Sequence, residues 1–182
     1  MEKDLLERAI AFAAQAHDKM TRKDGSPYIL HPLEDMTIVG TMTFDHEILA
    51  AAVLHDVIED TDVTEEDLRA AFGDRVARLV QHETAPSDRN LTWRERKTIQ
   101  LKQLMDAPYD SKIVALGDKL SNMQGIALDY RRIGDATWSL FHAPNGKKDV
   151  EWYYRSLVEA LSDLSETAAY KEFVKMLKEV FE

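Results

Sequence analysis

The chain contains no cysteine, so neither a disulfide nor a thiolate metal site is available to it. Basic residues are the scarcer charge: 23 Lys and Arg stand against 33 Asp and Glu, for a net charge of −10. That balance argues against a nucleic-acid polymer as the partner, because such binders usually carry a basic face. It leaves room for a small anionic substrate, since a cation and a few placed Arg and Lys side chains override the global field inside a cleft. No run approaches the roughly 18 continuous apolar residues of a membrane span, so no membrane association is expected. The charged start Met1-Glu2-Lys3-Asp4 leads into an amphipathic pattern and does not read as a secretory signal. The expected location is the cytoplasm.

Glycine and proline are also sparse, with 7 and 5 residues, and the periodicity between them is helical almost throughout. Leu5, Leu6, Ala9, Ile10, Phe12, Ala13 and Ala16 recur at three- and four-residue intervals and predict a first amphipathic helix. Residues 20–30 read as a loop, and Pro32 suits the first position of a new helix, with His31 at its cap. Glu47 to Ile58 is apolar on nearly all sides and predicts one central buried helix. Thr64 followed by Glu65, Glu66 and Asp67 is a helix start, a capping hydroxyl before dipole-favoured carboxylates. Gly73 separates that helix from Arg75–His82, and a polar loop around Pro86 follows. Further helices are predicted over 93–105, 110–129, 149–163 and 167–181, with a less regular stretch from Arg132 to Lys148. With 182 residues and no repeat or linker, the expectation is one all-α domain over 1–182.

Against this apolar background the polar residues stand out. His31 is followed by His55-Asp56, then by Glu59-Asp60, and later by the isolated Asp118. Two imidazoles and two carboxylates can close around one divalent cation and leave room for water. A lone His in an apolar helix is more often a satisfied core residue than a ligand. His55 directly followed by Asp56, however, puts two costly polar groups in one buried segment, and buried charge is normally paired or cation-bound. Adjacent helical residues diverge by about 100°, so both reach one ion only along their shared edge. Glu59 and Asp60 follow within one turn, and an acidic helix C-terminus is unfavourable unless something cationic compensates it. Asp118 ends the apolar run Ile113–Leu116; its neighbour Lys119 diverges on a helix and is not expected to pair with it. Nitrogen and oxygen donors without sulfur suit Mn, Fe, Co, Ni or Zn better than Ca or Mg. Such a cation lowers the pKa of its water and polarises a phosphoryl oxygen, which points to metal-dependent phosphohydrolysis.

The spacing His31, His55-Asp56, Asp118 resembles the signature of the HD phosphohydrolase superfamily, and its flanks resemble the RelA/SpoT hydrolase domains. Arg22–Pro32 is similar to their first motif, Ala51–Thr61 to their second, and Asp118–Met123 to a later one; the likeness covers about residues 5–125. In length the chain is similar to the small stand-alone alarmone hydrolases, and the expectation is a hydrolase without a nucleotidyltransferase half. The resemblance implies an HD-type helical bundle with one Mn²⁺ held by His31, His55, Asp56 and Asp118. It implies hydrolysis of guanosine 3′,5′-bis(diphosphate) at the 3′ position, with release of pyrophosphate and GDP. Glu59 and Asp60 would then be catalytic, Arg22 and Lys23 would flank the phosphates, and Asn122 would contact the nucleotide. Asp24, Gln124 and Gly125 depart from the pattern, and favour the alternative of another nucleotide or phosphorylated metabolite. A homo-oligomer is compatible with the sequence.

Residues 130–154 mix aromatic and basic side chains that could line a nucleotide pocket, Tyr153 among them, although such aromatics are more often core. Trp93–Lys97 opens a helix whose cations could offset the acidic cleft, although a solvated face is the simpler reading. His17 reads as structural.

Overall fold

The computed structural model describes residues 2–22, 25–84 and 90–182, and every regular element among them is helical. The first apolar stripe forms α1 (Glu2–Ala16), with Ala9 and Ala13 buried. A short loop follows, closed by a bridge between Thr21 and Pro27. It turns at Gly25, whose φ of 86° lies in the left-handed region that glycine adopts without steric cost. The chain then enters α2 (Leu30–Val39). His31 therefore sits inside the first turn and not at the cap, because a turn at Pro27-Tyr28 starts the helix earlier. Pro32 is still tolerated there, since first-turn N–H groups have no intrahelical acceptor.

The expected single helix over Glu47–Ile58 is two: α3 (His46–Leu54), capped by Asp45, and the single-turn α4 (Val57–Asp60). The break falls on His55 and Asp56. Asp56 has φ −92° and ψ −7°, in the sparsely populated bridge region where active-site residues collect. A continuous helix would have held the two side chains about 100° apart. The break removes that constraint.

α5 (Glu65–Phe72) opens on a complete capping box between Thr64 and Asp67, as the Thr-Glu-Glu-Asp run predicts. Gly73, with φ 90°, turns the chain into α6 (Asp74–Glu83). The polar loop around Pro86 lies at residues 85–89, outside the described residues. Thr92 and Glu95 form a second capping box for α7 (Trp93–Asp106). The 25-residue α8 (Tyr109–Ile133) runs through the centre, about 37 Å long, against α2, α3, α6 and the last helix. The irregular stretch contains a 3₁₀ turn over Gly134–Leu140, whose Trp138 stacks on Phe181 at 5.3 Å between ring centroids. α9 (Lys147–Ala160) and α10 (Ala168–Phe181) close the bundle. Leu54, Leu68, Leu116, Met123, Leu157 and Phe173 are fully buried and join the elements into one contiguous core.

Among the described residues no helix is long and apolar enough to cross a membrane.

Candidate metal centre

Three helical segments deliver the candidate ligands to one point. His31 Nε2, from α2, lies 3.1 Å from Asp118 Oδ1 on α8 and 3.6 Å from Asp56 Oδ2. His55 Nε2 lies 3.0 Å from Asp56 Oδ2 and 3.6 Å from Asp118 Oδ1. Donor atoms bound at about 2.1 Å to a common cation are themselves about 3.0–3.4 Å apart, so this spacing matches a shared coordination sphere. The ligand atoms of His31, His55 and Asp118 all fall within 4.8 Å of one another. His55 Nε2 is buried and has no hydrogen-bond partner among the described residues, an arrangement that fits a cation and leaves the nitrogen orphaned otherwise.

The outer ring nitrogens fix the tautomers. His55 Nδ1 is 2.8 Å from the Ala52 carbonyl, which only accepts, so Nδ1 carries the proton and the Nε2 lone pair faces the cluster. His31 Nδ1 is 2.8 Å from Ser121 Oγ, and that hydroxyl donates to Glu34 Oε2 at 2.6 Å. Ser121 therefore accepts from His31, and His31 too turns its lone pair inward.

Electrostatics agree. Burial discourages charge on His55, yet Asp56, Asp118 and Asp35 push its pKa well above the ordinary imidazole value. Burial would raise Asp118, but Lys119 and the two imidazoles hold it well below the usual carboxylate range. Burial would likewise raise Asp56, and His55 pulls it down instead. The carboxylates stay ionised, and the cluster favours a positive charge at its centre.

The other candidates are placed unequally. Glu59 and Asp60 lie on α4, directly beyond the break, and both are exposed. Arg22 Nη2 reaches Asn122 Oδ1 at 3.4 Å, and Asn122 Nδ2 donates to Asp118, so the three form a chain into the cluster. Lys23, with its neighbour Asp24, lies outside the described residues. Tyr153 is buried on α9, with Lys97 Nζ 4.7 Å from its ring centroid. Among the described residues no hydrogen bond or ring contact joins it to the four candidate ligands. Lys119 does pair with Asp118, against the expectation from neighbouring helical positions. Its long, flexible stem folds back over the short carboxylate.

Sequence reasoning missed several groups. Tyr28 donates to Asp56 Oδ2 at 2.7 Å and also contacts Asp60, tying a candidate ligand to a candidate catalytic carboxylate. His17, read from the sequence as structural, is buried and packs on the Tyr28 ring at 4.7 Å between centroids, and burial lowers its pKa. Lys97 is not on a solvated face: burial lowers its pKa to about 8 while Glu59 and Asp118 work against that shift. Glu83 is pushed up to about 7 by burial, opposed by Lys119 at 3.9 Å. Asp35, fully buried, rises to about 6 by burial although His55 opposes the rise. Asp35 carried a readable signal: it lies four residues after His31, on the same helical face.

The sequence profile of the HD domain family matches residues 9–143, and the chain belongs to that family. HD-domain hydrolases are metal-dependent, in keeping with the donor set just described. A guanosine-3′,5′-bis(diphosphate) 3′-pyrophosphohydrolase of Vibrio cholerae is 34% identical over 187 residues, 97% of this chain. The chain spans only 26% of that relative's length. The zebrafish (Danio rerio) enzyme of the same name, MESH1, is 39% identical over 140 residues, covering 74% of each chain. Among solved structures, a metazoan ortholog of SpoT that hydrolyses ppGpp superposes with a TM-score of 0.75 at 25% identity. That superposition covers 96% of this chain and 94% of the other.

Proposed function

We propose that the chain is a Mn²⁺-dependent guanosine-3′,5′-bis(diphosphate) 3′-pyrophosphohydrolase that releases pyrophosphate and GDP. The observation that carries this reading is the convergence of two lone-pair-inward imidazoles and two ionised carboxylates beside the exposed carboxylates Glu59 and Asp60 on α4. Relatives with that named activity support the choice of substrate.

In this reading His31, His55, Asp56 and Asp118 hold the ion, and their mixed nitrogen and oxygen character favours Mn²⁺ over Mg²⁺. When bound, the ion lowers the pKa of water and polarises a phosphoryl oxygen. Glu59 and Asp60 supply the acid and base, one accepting the proton of the attacking water and the other protonating the departing oxygen. Tyr28 holds Asp60 in register with Asp56. Arg22 and Lys23 neutralise the pyrophosphate, and Asn122, already bonded to Arg22 and Asp118, orients the nucleotide. Lys97 and Lys119 add positive charge near Asp118, and Lys97 packs over the Tyr153 ring. The substrate is a small anionic nucleotide, and the working location is the cytoplasm.

The test is pyrophosphate release from ppGpp by the purified protein with Mn²⁺, run beside a panel of other nucleotides. Release of pyrophosphate from ppGpp in preference to the panel is the expected result. Turnover of another phosphate ester without turnover of ppGpp would leave the HD hydrolase class and overturn the substrate.

A further inference from the structure

We propose that Asp35 and Gly117 are a matched pair behind the metal site: the Asp35 carboxylate positions His55, and Gly117 keeps open the space this carboxylate fills. The inference rests on the reading of His55 as a metal ligand and extends it to two residues that ligate nothing.

Asp35 lies on α2 one turn after His31 and has no exposed surface. Neither of its oxygens has a hydrogen-bond partner, and His55 Nδ1, 3.1 Å from Oδ2, is the one ion-pair partner found among the described residues. An isolated carboxylate is among the most costly groups to bury, and an apolar side chain of similar size would fill the site without that cost. On the facing helix, Gly117 sits inside α8, where glycine weakens a helix. A Cβ added there would come within 1.9 Å of Asp35 Oδ1 and 2.6 Å of Val39 Cγ2. Each unfavourable choice accounts for the other. The glycine lets α2 and α8 approach closely enough for the carboxylate to sit behind His55. The same approach brings His31 to Asp118, the residue after Gly117.

The Nδ1–H of His55 already points at the Ala52 carbonyl. Asp35 Oδ2 stands beside that bond, so its contribution is charge as well as packing. A carboxylate at the outer nitrogen makes Nε2 a stronger donor to a cation and holds the ring plane in place.

The test is a Mn²⁺ titration of metal-free protein, following the free ion by electron paramagnetic resonance, with thermal melts on the same samples. Asp35→Asn keeps the shape and removes the charge. It should bind Mn²⁺ about 10–100-fold more weakly than the parent without a lower melting temperature. Gly117→Ala should lower the melting temperature, and adding Asp35→Ala should return part of that loss while leaving Mn²⁺ affinity low. Equal Mn²⁺ affinity in the parent and Asp35→Asn overturns the positioning role. A double variant as unstable as the two single losses added together overturns the pairing. A parent that takes up no Mn²⁺ overturns the metal reading and the positioning role together, an outcome distinct from equal binding by both proteins.

Discussion

The α3–α4 segment and α8 meet at the same cluster by opposite means. α3–α4 brings two adjacent side chains, His55 and Asp56, and its backbone breaks between them, with Asp56 in the bridge region. α8 brings one, Asp118, and runs unbroken for 25 residues. Neighbouring residues on a helix diverge, so two ligands from consecutive positions require a change of backbone, whereas one ligand requires only a close approach. α8 meets that need with Gly117. The irregularity of a helix at this site follows the number of donors it must supply.

Replacing one donor from each segment tests the contrast most strongly. Asp56→Ala and Asp118→Ala should each reduce Mn²⁺-dependent turnover to background, but their stabilities should differ. Asp118 is buried against Lys119, so its loss should cost about 2 kcal/mol in chemical denaturation. That is less than the 3–5 kcal/mol of a fully buried pair, because Lys119 keeps Glu83 at 3.9 Å. Asp56 is less buried than Asp118 and pairs with no lysine or arginine among the described residues, so Asp56→Ala should cost less; equal losses would remove the distinction between the segments. Next, Glu59→Gln should lower turnover about 10²–10⁴-fold while Mn²⁺ affinity stays unchanged, measured by parallel kinetics and metal titration. A fall in affinity would instead make Glu59 part of the metal site.

A smaller effect separates the α6–α8 contact from the cluster. Glu83 has a folded pKa of about 7 against an ordinary 4.5, so the folded protein binds this proton more tightly than the unfolded chain. Its contribution is full below about 4.5 and is lost as pH rises through about 7. Glu83→Gln should therefore leave stability unchanged in acid and raise it above neutrality, on the order of 1–3 kcal/mol. Melting temperatures across pH check this, and a uniform shift at all pH values would contradict it. The smallest expected effect is at Thr64→Ala, which removes the α5 cap and should cost about 1 kcal/mol without changing Mn²⁺ affinity.

Much of this was legible in the chain. Spacing alone located most of the helices, because their apolar stripes and caps are local signals: Thr64 announces α5, and Gly73 ends it. His31, His55, Asp56 and Asp118 were legible as candidates because polar residues inside apolar runs need a reason. The break at Asp56 was not legible, since Ala51–Ile58 has uniform helical character and only the demands of the cluster interrupt it. Tyr28, Lys97 and Glu83 act across elements, and no local pattern marks a side chain whose partner is twenty or more residues distant. Gly117 reads as an ordinary weak point in a helix until the atom filling its Cβ space is known.

The central claim is that His31, His55, Asp56 and Asp118 close on one divalent ion. Equilibrium binding of Mn²⁺ to the metal-free parent and to the four single alanine variants tests it directly. The account predicts one equivalent per parent chain and severe loss of affinity in each variant. Undiminished uptake of one equivalent by the variants would contradict it.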